Sequence, residues 1–298
     1  MSRLLVLWDV DYTLLDAGGA GMELYRIAFG ELFGGEPPVP GPMSGRTDRA
    51  IALEVLTLAG IPDPRQHIAA FQAVMAAHAE ELTDVIRSGG TALPGAAEAL
   101  TALASARSGN ASGPARDASS PDGNASGADG DTSGADGNAS GAHGNASGAE
   151  GDTSGGDGAG DVVQALLTGN IRALAEVKLA ALGLSGHLDF DVGAYGDVHE
   201  VRSELVGPAR RKAALAYGAD FGGAATVLVG DTPLDIEAAL VTGARAVGVA
   251  TGHFSVAELN AAGAHAVLPD LTDTGQVLAA VLGPPRASHQ PHPQSSPK

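Results

Sequence analysis

Asp9 and Asp11 stand one residue apart where the apolar run Leu4-Leu5-Val6-Leu7-Trp8 ends, and Tyr12-Thr13 follows them. Two carboxylates this close to a core repel one another and lose hydration unless something positive sits between them. A hard divalent cation such as Mg²⁺ meets that need through oxygen ligands. A carboxylate so placed can also serve as a nucleophile, and its neighbour as a general acid or base. The plainer alternative is a strand followed by an acidic turn, with Asp11 capping a helix. Two more apolar runs end in polar groups. Val162 to Leu167 ends in Thr168-Gly169-Asn170, and Ala225 to Val229 ends in Gly230-Asp231-Thr232-Pro233-Leu234-Asp235.

Apolar runs of this kind read as strands buried on both faces of a parallel sheet. Their polar ends then fall at the carboxyl edge, where open α/β sheets bind ligands. Strands are expected at 3–9, 161–168, 188–192, 225–229, 246–249 and 266–268. Helices are expected at 96–107, 171–182, 203–217 with a kink at Pro208, and 235–242. Between the first strand and residue 93 the pattern is helical throughout. It opens at a glycine-rich hinge, Asp16 to Gly21, breaks at Pro37 to Pro42, and resumes after Thr47 or Asp48, either of which can cap the next helix. A further helical stretch covers 66–86. Alternating strands and helices predict an α/β fold: a three-layer, Rossmann-like core with a mostly parallel sheet, plus a small helical cap domain. The core takes residues 1–16, 94–107 and 161–283, and the cap takes 17–93.

Residues 108–160 differ in kind. From Gly123, five units of seven residues follow one another: GNASGAD, GDTSGAD, GNASGAH, GNASGAE and GDTSGGD. None contains an apolar residue larger than alanine, so the segment reads as a disordered linker, neither a coiled coil nor a calcium-binding β-roll. The tail, 284–298, is Pro, Ser, His and Gln and reads as disordered too. The chain has 298 residues, no cysteine and a formal net charge of -18. Disulfides and cysteine-based chemistry are excluded, and so negative a chain is a poor partner for nucleic acid or an anionic membrane. A signal peptide is not expected, because Arg3 is followed by only five apolar residues before Asp9. A cytoplasmic protein, monomer or homodimer, is the expectation. Lysine occurs only at 178, 212 and 298.

On these motifs the chain resembles the haloacid dehalogenase-like hydrolase superfamily, of the phosphatase type. The first family motif stands here as Asp9-Val10-Asp11-Tyr12-Thr13, the second as Thr168-Gly169-Asn170, and the fourth as Gly230-Asp231-Thr232-Pro233-Leu234-Asp235. A helical cap inserted after the first motif is a further point of likeness. The resemblance implies that Asp9 attacks phosphorus and that Asp11 acts as acid, then base. It implies Mg²⁺ held by the Asp9 side chain, the Asp11 backbone carbonyl and Asp231, with Asp235 ligating through water or orienting Asp231. Thr168, Gly169 and Asn170 would bind the phosphoryl oxygens together with the third motif, a basic residue. Arg202 has the family-like separation from Thr168, and Lys178 is its rival. Where many relatives carry glycine, this chain has Tyr12.

Within the superfamily, Asp11 argues against dehalogenation. Schiff-base phosphonate hydrolysis and hexose phosphate mutation tend to use a cap lysine, and residues 17–93 hold none. The expected activity is hydrolysis of a small phosphorylated metabolite, phosphoglycolate phosphatase-like, with Arg46 reading the non-phosphate end. A phosphomutase or a non-catalytic binding member are the alternatives. His67 and His78 read as solvated, whereas His199 and His253 follow predicted strands.

Overall fold

A computed structural model describes residues 3–106 and 162–283. The expected linker at 108–160 and tail at 284–298 lie outside the described residues. In chain order the elements begin with β1 (Leu4–Trp8), β2 (Leu15–Asp16), α1 (Ala20–Phe33), α2 (Asp48–Leu58), α3 (Pro64–His78), α4 (Thr83–Gly89), β3 (Thr91–Ala92) and α5 (Ala96–Ser105). After residue 161 come β4 (Val162–Leu166), α6 (Arg172–Ala181), α7 (Val206–Tyr217), β5 (Thr226–Gly230), α8 (Pro233–Val241), β6 (Arg245–Val249), α9 (Val256–Ala261), β7 (Ala266–Leu268) and α10 (Thr274–Leu282).

Five strands form one parallel sheet in the order β4-β1-β5-β6-β7. Strand β1 is internal, second from one edge, and its residues pair with β4 on one side and β5 on the other. Side chains alternate across it. Val6, Trp8, Val227, Val229, Val247 and Val249 enter a core shared with α5, α6 and α10. Leu5, Leu7, Val163, Ala165, Leu228 and Ala246 enter a second core beneath α7, α8 and α9. That division by a period of two is what makes three layers from strands apolar on both faces. A polar residue inside β4, Gln164, is satisfied: it donates to the Leu100 carbonyl at 2.9 Å and accepts from the Trp8 indole at 3.1 Å.

Helices α1 to α4 lie between β2 and β3, which pair antiparallel, Leu15 with Ala92 and Asp16 with Thr91. The chain therefore leaves for the helical layer and returns from it through one short ribbon. Inside that layer Leu24, Ala28, Phe29, Phe71 and Met75 are buried and continuous with the first core. Thr47 is the residue that caps α2, accepting from the Ala50 N–H at 3.2 Å.

Three expectations are corrected. No strand forms at 188–192. Asp189 Oδ1 accepts from the Asp191 N–H at 3.0 Å and Oδ2 from the Tyr217 hydroxyl at 2.6 Å, a local bonding pattern that folds the segment into turns. The segment 203–217 is no single kinked helix: a 3₁₀ turn, Arg202–Leu205, precedes α7, and Pro208 sits in the first turn of α7, where a missing N–H costs nothing. The stretch 66–86 is likewise divided, with a 3₁₀ turn at Ala79–Leu82 between α3 and α4.

Candidate active site

Asp9 directly follows β1 and stays tied to the sheet, its N–H donating to the Val229 carbonyl of β5 at 2.8 Å. The chain then turns sharply. The N–H groups of Leu14 and Leu15 both reach the Val10 carbonyl, at 2.9 and 3.2 Å, and Tyr12 adopts a left-handed φ of 56°. Glycine takes that conformation without strain and tyrosine does not. The Tyr12 carbonyl accepts from the Thr251 hydroxyl, and its ring lies 5.1 Å from that of His253, which brings the end of β6 beside the turn.

Asp231 emerges from β5, the neighbour of β1, and Asp235 lies one turn into α8. One carboxylate oxygen from each of Asp9, Asp231 and Asp235 falls within 4.8 Å of the others, and all three residues are buried. Burial, with mutual repulsion, pushes both Asp9 and Asp231 well above the ordinary carboxylate range. Asp231 Oδ2 has no hydrogen-bond partner. A Cβ on Gly252 would stand 1.9 Å from that oxygen, so only glycine leaves it room. An unpartnered buried oxygen facing two further carboxylates fits a hard divalent cation, as Mg²⁺ demands oxygen donors.

Asp235 is already employed. Its Oδ2 accepts from the Thr232 N–H at 3.1 Å and hydroxyl at 2.6 Å, a capping box that starts α8, while its Oδ1 meets Arg202 at 2.6 Å. Arg202 also reaches Asp9 Oδ1 at 2.7 Å and donates to the carbonyls of Leu167 at 3.0 Å and Gly45 at 3.2 Å. Burial works against its charge, but Asp235 and Asp9 outweigh it and hold the guanidinium protonated.

Lys178, the rival for the basic role, is not a solvated helical charge. It is buried, and its ammonium meets both Asp11 oxygens at 2.7 Å and Asn170 Oδ1 at 2.8 Å. The structure thus gives each acid of the first motif its own cation: Arg202 on Asp9, Lys178 on Asp11. The Asp11 carboxylate stands outside the three-carboxylate cluster. Thr168 is fully buried, and its hydroxyl accepts from the Asn170 side-chain amide at 2.8 Å.

Asp9, Asp11, Thr168, Asn170, Lys178, Arg202 and Asp231 line one cavity of about 440 Å³, to which Gly169 also contributes and Asp235 does not. Its far wall is Met22, Tyr25, Met43 and Ile51, from the helical layer and the loop before α2. Arg46 lines it too, with its guanidinium on Glu54 at 2.6 Å and the Pro42 carbonyl at 3.2 Å. Among the expected histidines only His253 reaches the cavity wall; His78 bonds Glu31 and Glu81 on the surface.

Asp48 was legible only as a helix cap, yet it joins two layers. Its carboxylate accepts from the Tyr25 hydroxyl at 2.8 Å and the Ile171 N–H at 2.7 Å, and its own N–H donates to the Gly169 carbonyl at 2.7 Å. Burial pushes its carboxyl up to about 6, against the pull of those two donors.

A family model described as HAD-hydrolase-like matches residues 205–274, from α7 into α10 and across the fourth motif. A hydrolase from Pseudomonas syringae shares the fold at a TM-score of 0.54 and 18% identity, over 94% of this chain and 99% of that one. A predicted phosphatase from Clostridium acetobutylicum gives 0.53 and 13%, over 93% and 99%. A protein provisionally named a beta-phosphoglucomutase, from Bacteroides vulgatus, gives 0.52 and 15%, over 95% and 91%. Comparison with curated proteins returned no match. The resemblance read from the three motifs is met by the family model over residues 205–274 and by a fold shared with these solved structures.

Proposed function

We propose that this chain is a Mg²⁺-dependent phosphatase that hydrolyses a small phosphomonoester through an aspartyl-phosphate on Asp9. The observation that carries the reading is the meeting of the Asp9, Asp231 and Asp235 carboxylates, from two strand ends and the start of α8, beside the Arg202 guanidinium. In this reading residues 17–93 form a cap over a core made of 1–16, 94–107 and 161–283. Asp9, Asp231 and the Asp11 carbonyl would hold the metal, with Asp235 orienting Arg202 and the start of α8. Bound there, Mg²⁺ would offset the negative charge that the acids and the phosphoryl group bring together.

Asp9 Oδ attacks phosphorus, the bond from phosphorus to the ester oxygen breaks, and its electron pair leaves with that oxygen, which takes a proton from Asp11. Water then attacks the aspartyl-phosphate, giving its proton to Asp11, and the Asp9 carboxylate returns. One ester and one water become one alcohol and one phosphate. Arg202, Thr168 and the backbone of Gly169 and Asn170 face the transferring oxygens, where charge must be stabilised. Arg46 stands where the rest of the substrate lies. An anionic substrate end has to take it from Glu54, while an uncharged one meets Met22, Met43 and Ile51.

Hydrolysis of p-nitrophenyl phosphate with Mg²⁺ tests the reading. Asp9→Asn is expected to lower kcat by at least about a thousandfold, and chelation of the metal to abolish turnover. Equal activity in the Asp9→Asn protein refutes it. The fold shared with a protein provisionally named a beta-phosphoglucomutase keeps phosphomutation as a second reading. A sugar phosphate converted to its isomer without release of phosphate would establish it.

A further inference from the structure

Lys178 is a buried cation spent on one carboxylate. All three of its N–H donors are accounted for, two on Asp11 and one on Asn170 Oδ1. Asn170 closes the triangle by donating to Asp11 Oδ2 at 2.7 Å, and the same amide holds the Thr168 hydroxyl at 2.8 Å. The Lys178 side chain is 4% exposed, whereas that of Asp11 is 35% exposed and faces the cavity. A half-exposed carboxylate needs no buried partner to stay in solution. Burying an ammonium is costly, and an apolar side chain would serve packing better at a position flanked by Leu174, Val177 and Leu179.

We propose that Lys178, braced by Asn170, is a positioning residue for Asp11 in proton transfer to the leaving group; this rests on the phosphatase reading above. Asp11 lies on a turn strained at Tyr12 and faces the cavity, partly exposed to solvent. Two hydrogen bonds to its two oxygens fix the plane of the carboxyl, and the bond from Asn170 fixes it against the loop that carries Thr168. As Asp11 gives its proton to the ester oxygen, negative charge appears on its carboxylate, and the Lys178 ammonium is already 2.7 Å away. Arg202 does nothing of this kind for Asp11, since its contacts are Asp9, Asp235 and two carbonyls.

A leaving group that needs no proton should be insensitive to this arrangement. The test is kcat/KM with Mg²⁺ for phenyl phosphate and 2,4-dinitrophenyl phosphate, in wild type, Lys178→Met, Asn170→Ala and Asp11→Asn. Phenyl phosphate is expected to lose at least about tenfold more than the dinitrophenyl ester in Lys178→Met, in the direction of Asp11→Asn. Asn170→Ala should show the same bias more weakly, and serves should Lys178→Met fail to fold. Adding Lys178→Met to Asp11→Asn should cost less than about threefold further, because Lys178 acts through Asp11. Equal losses on both esters, or full additivity in the double variant, overturn the proposal. A wild type inactive on both esters sinks the phosphatase reading itself, and this inference with it.

Discussion

Arg202 joins four partners from four parts of the chain: Asp9 after β1, Asp235 in α8, and the carbonyls of Leu167 and Gly45. Removing it strands two buried acids. Arg202→Met is expected to destabilise the protein by roughly 3–5 kcal/mol in urea unfolding, with part recovered by added Mg²⁺, which restores positive charge at Asp9. A second residue-scale prediction concerns Gly252, whose missing Cβ leaves space at Asp231 Oδ2. In Gly252→Ala that oxygen is crowded, and Mg²⁺ affinity by calorimetry should fall by at least about tenfold, while the overpacked site lowers stability by on the order of 1–3 kcal/mol. The candidate acids Asp9, Asp11 and Asp231 could be singled out in the sequence, because each stands just past an apolar run. Their pairing could not. Arg202 and Lys178 compete for one role in the sequence, whereas in space each takes a different aspartate. The available sign was Lys178 itself, placed four residues after Leu174 on the apolar stripe of α6, where a solvated charge does not belong.

Strand ends and the insertion of helices after β1 were legible as elements because apolar runs and glycine or proline breaks mark them locally. The strand expected at 188–192 failed because Asp189 and Asp191 satisfy their own turn, a choice made by side chains and not by hydrophobic period. The contact between the helical layer and the core was also hidden, since Asp48 meets Tyr25 and Ile171 only once both layers are assembled. That contact has a pH signature. The Asp48 carboxyl is held up to about 6 by burial, against an ordinary aspartate value of 3.8 in the unfolded chain. A carboxyl that binds its proton more tightly when folded lends stability fully below about pH 4 and loses it as pH rises through about 6. Asp48→Asn keeps the neutral form at every pH. Between pH 4 and pH 7 the wild type should therefore lose on the order of 2–3 kcal/mol relative to Asp48→Asn, measured by urea unfolding at each pH. Parallel titration of the two proteins would show that the shift at Asp48 is absent.

At the scale of the molecule, the site depends on a sheet assembled from distant segments. Trp8 pairs with Leu166 on one side and Val229 on the other, so the ends that carry Asp9, Thr168 and Asp231 are neighbours in the sheet though far apart in the chain. Residues 107–161 fall between α5 and β4, and β4 must still reach β1. Their Gly, Ala, Ser and Asp composition offers no large apolar side chain to any core. Closing a flexible loop costs entropy that grows only with the logarithm of its length. Replacing 107–161 with a Gly/Ser linker of about eight residues should therefore raise the unfolding free energy by only on the order of 1–2 kcal/mol. The Mg²⁺ affinity and the kcat/KM on p-nitrophenyl phosphate should stay within about twofold, because no residue of the cavity wall is removed. Loss of folding or of metal binding in that variant would mean that the repeat itself supports the edge strand β4, and that loop entropy is not its whole contribution to the fold.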